Sequence, residues 1–148
     1  YYPEAFGAGV SYVYKKFTLA ADYYRQVWSK YRIEKENVGH FGDYTRGGAG
    51  FEYLDSADPF VRYSRRVSYR LGAYMAQLPF FGTNGHVVKE QFVTAGLGLP
   101  FLASRGRADL SIEYGKRHSG DSMGYSEDII RLSGSITVGE RWFQRRHQ

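Results

Sequence analysis

The chain has no cysteine, which excludes a disulfide framework and any thiolate metal site. It has no apolar run of about 18 residues, so it encodes no transmembrane helix. Helical periodicity is weak throughout. Prolines number only 4, and Pro59, Pro79 and Pro100 are expected at strand ends or in connections, where a missing N–H does no harm. The formal net charge of +5 comes with no nucleic-acid recognition module, and its one dense basic cluster is Arg145-Arg146-His147, so no nucleic-acid partner is expected. The chain opens at Tyr1 without an initiator methionine or a leader, as expected of a processed protein or a piece of a longer one.

What is abundant is glycine (18), tyrosine (14) and phenylalanine (10), the profile of an aromatic, glycine-rich β protein of one domain. Alternation of apolar and polar residues places seven strands near Phe6–Tyr14, Phe17–Trp28, Tyr44–Leu54, Tyr63–Leu78, Glu90–Leu99, Arg107–Lys116 and Ile129–Val138. Each has about nine residues or more, the length a tilted strand needs to cross a bilayer. The mean hydropathy of −0.49 does not oppose a membrane site, because a barrel strand shows lipid only every second residue.

The connections are expected to alternate short and long. Lys15-Lys16 is a two-residue hairpin turn and the stretch from Phe101 to Gly106 is short, whereas Ser29–Asp43, Pro79–Lys89 and Arg117–Asp128 are longer; Asp55–Arg62 is intermediate. Outer-membrane barrels carry short turns on the periplasmic side and longer loops outside, which puts Lys15, Lys16 and the C-terminus in the periplasm. Trp28, Tyr31, Phe41, Phe80, Phe81 and Tyr125 then fall near the outer rim, where aromatic girdles form.

One face of the strands reads as uncharged sets such as Val10, Tyr12 and Tyr14, or Leu110, Ile112 and Tyr114. The other carries charge of both signs: Asp22, Arg46, Glu52, Arg66, Arg70, Arg107, Asp109, Glu113 and Arg131. These nine are the candidate lumen residues, able either to brace a barrel as a charge ladder or to line a path through it. A soluble lipocalin-like barrel or a β-sandwich shows the same period with the apolar side inward. Antiparallel up-and-down barrels need an even strand count, so with seven strands either a further strand lies in one of the long loops or the chain is part of a larger barrel, and the cost of open edges in hydrocarbon favours the latter.

The segments Phe92–Phe101, Arg107–Arg117 and Ile130–Phe143 carry a resemblance. With the strand ends Gly96-Leu97-Gly98-Leu99-Pro100 and Glu113-Tyr114-Gly115-Lys116-Arg117 and the final Arg141-Trp142-Phe143, the chain resembles outer-membrane barrels of Bacteroidetes-type bacteria that are similar to the FadL-like long-chain fatty-acid transporter family. The resemblance implies an all-β, antiparallel up-and-down transmembrane β-barrel of fourteen strands, with residues 1–148 as the C-terminal half of that single domain. It implies a transport or channel component for hydrophobic ligands in the bacterial outer membrane. The alternative is a non-transporting barrel subunit of a larger outer-membrane complex for protein export, barrel assembly or lipoprotein handling. Expected partners are outer-membrane lipid and other outer-membrane or periplasmic subunits.

No enzyme is expected, and no catalytic residue, cofactor or metal site. His40, His86, His118 and His147 fall in loops or the tail without metal-ligand spacing. His118 with Ser119, Asp121, Ser122 and Asp128 lacks a nucleophile elbow and reads as a polar loop. Gly47-Gly48-Ala49-Gly50 lacks the Lys-Ser/Thr of a phosphate-binding loop.

Overall fold

A computed structural model describes residues 3–29, 41–81, 85–101, 106–119 and 125–139. They form one antiparallel sheet of seven strands in sequential order: β1 (Ala5–Tyr14), β2 (Phe17–Gln26), β3 (Tyr44–Leu54), β4 (Ser68–Phe81), β5 (Val87–Phe101), β6 (Gly106–Ser119) and β7 (Tyr125–Val138). The sheet is open, with β1 and β7 as its edges. The only other described element is a 3₁₀ turn at Tyr63–Arg65. No described helix is long and apolar enough to cross a membrane.

The register aligns the period-two pattern from strand to strand. Tyr12, Leu19, Phe51, Leu71, Ala95, Ile112 and Leu132 are successive cross-strand partners, forming one apolar row across all seven strands. One residue along, Thr18, Glu52, Arg70, Gly96, Ser111 and Ser133 form a row on the opposite face. A slip of one residue at any pair would mix the two faces.

The apolar face is the open one. Leu71 is 61% exposed, Met75 64% and Ile136 75%, whereas Ser68 and Phe92 on the polar face are 1% and 2% exposed. The polar face is thus the more covered side, as in a sheet curled toward it. The described residues do not form the soluble barrel or sandwich weighed above, because no second layer covers their apolar face and buried apolar side chains are confined to Val67, Ala76, Val88 and Phe92.

Several boundaries differ from expectation. β4 begins at Ser68 rather than Tyr63, because the chain turns through the 3₁₀ segment first; Arg66 therefore lies outside the sheet. β4 then runs through Pro79 to Phe81, with its register against β5 shifting between Gln77 and Phe81, an irregularity that accommodates a residue without an N–H. β5, β6 and β7 extend beyond their predicted ends, so only residues 82–86 and 120–124 separate the strands where longer loops were expected. The two long connections are 27–43 and 55–67, at opposite ends of the sheet, so the short-long alternation is not observed.

The Lys15-Lys16 turn forms as expected, with Lys15 at φ 54°. A two-residue hairpin needs positive φ to match the strand twist, and a lysine accepts it at a cost of about 1 kcal/mol. Beside this turn Tyr14, Phe17, Tyr53 and Tyr69, each expected on the apolar face from alternation, line up as one aromatic row across four strands. The Phe17 ring stacks on Phe51 at 5.6 Å and meets Tyr53 at 5.2 Å. At the other end Trp28 meets Phe41 at 6.4 Å, and Phe80 and Phe81 are exposed. Tyr31 and the side chain of Tyr125 lie outside the described residues.

Candidate functional site

The polar face carries most of the charge, and its cross-strand ladders bring distant charges together. In the first cluster, Arg70 on β4 donates to Glu52 on β3 at 2.5 Å and reaches Asp109 on β6 at 2.9 Å. Arg107 on β6 donates to Asp109 at 2.8 Å and to the Ser68 hydroxyl at 2.5 Å, and stands 3.7 Å from Glu52. Two cations and two carboxylates thus share one network across four strands. β5 contributes no charge to it, only Gly96 and Gly98 at the crossing. A Cβ on Gly98 would occupy the space of the Arg107 guanidinium and the Ser68 hydroxyl.

A second cluster lies two rows further along. Arg131 on β7 donates to the Tyr74 hydroxyl at 3.0 Å and to Glu113 at 3.4 Å, and Tyr74 donates to Glu113 at 3.3 Å. The rings of Tyr74 and Phe92 stack at 5.1 Å, with the Arg131 guanidinium 4.4 Å from the Phe92 centroid and that of Arg46 4.4 Å from the Tyr74 centroid. The order Arg46, Tyr74, Phe92, Arg131 is a cation–π stack spanning β3 to β7. Phe92 lies over its partner Gly115, where no Cβ would fit. Nearer the opposite rim, Arg117 pairs with the buried Glu90 at 2.5 Å and lies 3.6 Å from Glu127.

Of the nine candidate charges, Glu52, Arg70, Arg107 and Asp109 meet in one network, Glu113 and Arg131 in another, and Arg46 joins the latter through the ring. Asp22, between Gly9 and Gly48, makes no ion pair among the described residues. Arg66 stands apart, packed on the Tyr63 ring at 5.3 Å. Tyr74, Phe92, Glu90, Arg117 and Glu127 were missed, although strand parity alone puts them on the charged face. A groove of about 480 Å³ opens beside both clusters, lined by Asp22, Arg46, Glu52, Arg70, Tyr74 and Glu113.

The rims have their own ion pairs. Asp55 accepts from Arg65 and Lys16, which hold its carboxyl down at about 2, the Arg65 hydrogen bond being the larger cause. Asp43 accepts from Arg25 at 2.7 Å and from Ser29 at 2.7 Å, and these bonds lower its pKa in the same order.

Among the described residues no group of three His, Asp or Glu side chains is placed to share a metal ion. The Ser119 hydroxyl donates to the His86 carbonyl at 3.2 Å, and Asp121 and Ser122 lie outside the described residues, as do His40 and His147. Chemically the arrangement can brace the sheet, since most of its guanidiniums are held by carboxylates or aromatic faces. Comparison with protein-family models matches BamG over residues 1–148. No curated protein and no solved structure gives a match.

Proposed function

This chain belongs to the BamG family, a family related to the barrel-assembly machinery, and on that premise we propose that it is a non-enzymatic β-barrel subunit of an outer-membrane complex that assembles other barrels. The observation that carries this reading is the family match along the whole chain, joined to a polar face whose charges bind one another. A transport path needs charges left for a ligand, whereas a fixed subunit needs a stiff wall. The match gives no support to the fatty-acid-transporter resemblance or to the transport role drawn from it.

The exposed apolar face supports membrane insertion. From Tyr114 to Gly106 the apolar-face run of β6 covers about eight residue steps, ~26 Å along the strand. Tilted by ~40°, it rises ~20 Å, close to the ~25 Å apolar band of outer-membrane barrels. The aromatic row at the Lys15-Lys16 end would sit at one interface. Further strands, from this polypeptide or another, close the sheet, since an open edge in hydrocarbon leaves backbone groups unpaired.

The test is extraction of the membrane in mild detergent with a tag on this protein. Stoichiometric co-extraction with the barrel-assembly components is expected, together with slower maturation of other barrels when the protein is depleted. Extraction as a lone barrel, with loss of hydrophobic-ligand uptake on depletion, would overturn the reading in favour of transport.

A further inference from the structure

The connection between β3 and β4, residues 55–67, is folded on itself. At its base Leu54 N–H donates to the Lys16 carbonyl at 2.9 Å, and Ser56 N–H to the Arg65 carbonyl at 2.8 Å. Asp55 ties the base together through Lys16 and Arg65. At its tip the Asp58 carboxylate accepts the Phe60 N–H at 2.9 Å, and the Ser56 hydroxyl accepts the Asp58 N–H at 3.2 Å, before the 3₁₀ turn begins. These bonds hold Phe60 at the tip with 95% of its surface exposed, the highest value among the large apolar side chains described. The ring so held offers apolar surface whose burial against a partner would be favourable.

The surroundings of Phe60 are basic. This end carries Lys15, Lys16, Arg62, Arg65 and Arg66 against Asp55 and Asp58. Asp55 is shared by two of the cations, while Arg62 makes no ion pair among the described residues and Arg66 Nε is buried without an acceptor. We infer that Phe60, flanked by Arg62 and Tyr63, is a docking knob for a protein partner that offers an apolar socket rimmed by carboxylates. This rests on the assembly-subunit reading and names the chemistry of one partner surface. A protein fits better than lipid for two reasons. The tip is preorganised by its own hydrogen bonds, which lowers the ordering cost of docking into a shaped socket. Phe, Tyr and Arg are also residue types enriched at protein interfaces, and Tyr and Arg dominate their energetics.

The experiment uses the membrane-inserted protein in its extracted complex. Residues 1–148 contain no cysteine, so within them Val61→Cys is the one attachment site for a nitroxide label, beside an intact Phe60. In the complex the label is expected to be immobile and shielded from both dissolved oxygen and a water-soluble relaxation agent. Phe60→Ala and Arg62→Glu are each expected to weaken association about ten-fold or more, while retaining the heat-modifiable gel mobility of a folded barrel. A label in the complex open to oxygen alone would assign Phe60 to lipid, and one open to the aqueous agent would leave it unoccupied; either overturns the docking. Unchanged association of both variants overturns it too. Absence of co-extraction for the unsubstituted protein would overturn the assembly-subunit reading itself, and the docking with it.

Discussion

Gly98 faces Ser68 on β4 and Asp109 on β6, and the Arg107 guanidinium lies where its side chain would be. Gly98→Ala is expected to push Arg107 off Ser68 and Asp109 and to cost ~1–2 kcal/mol, the value of one or two charged hydrogen bonds partly offset by solvent. Gly47→Ala on the other face puts a Cβ 3.8 Å from the Tyr23 ring, an ordinary contact, and should stay within ~0.5 kcal/mol. Urea midpoints in lipid vesicles compare the two, and equal effects would mean that Gly98 is not what admits Arg107. Asp55 sets a pH dependence of its own. Its carboxyl is held at about 2, below the ordinary 3.8, by hydrogen bonds from Arg65 and then Lys16. A carboxylate lowered in the folded state stabilises fully above the unfolded value, and the contribution is lost as pH falls from about 4 through 2. The stability gap between the protein and Asp55→Asn should therefore be constant above pH ~4 and close toward pH ~2; a gap independent of pH would show that the ion pair does not form.

At the scale of the strand, facing was legible because the side-chain period of two is a local property. The uncharged sets read from alternation form continuous apolar rows in the sheet, and the charged sets form the polar face. The reading failed where local rules were broken. Strand parity puts the large aromatics Tyr74 and Phe92 on the polar face, but their hydropathy does not mark them as members of a charged set; there they stack on each other between two guanidiniums. Arg66 was put on the charged face by counting back from Ser68, but the 3₁₀ turn takes it out of the strand. Substitutions on β6 separate the faces. Leu110, 52% exposed on the apolar face, should cost ~2–4 kcal/mol as Leu110→Arg if it lies at the bilayer midplane, against less than ~1 for Ser111→Arg. The folded fraction after refolding into vesicles measures both, and equal losses would refute the assigned lipid face.

At the scale of the whole molecule, the sequence pattern anticipated an odd strand count, and the described residues form an open sheet of seven strands with β1 and β7 as edges. The ion-pair ladders concentrate on β3 to β7, while β1 and β2 contribute Gly7, Gly9, Ser11, Ala20, Asp22 and Tyr24 to the same face. The amino-acid sequence by itself determined the all-β class, the strand count, the two faces and the first hairpin, because alternation and turn chemistry act between residues close along the chain. Only the tertiary structure decided which charges meet. Arg70 reaches Asp109, and Tyr74 meets Arg131, across strands whose register is set by all the intervening ladders at once. The same holds for the basic connection that presents Phe60, since its base is closed by Lys16 from another hairpin.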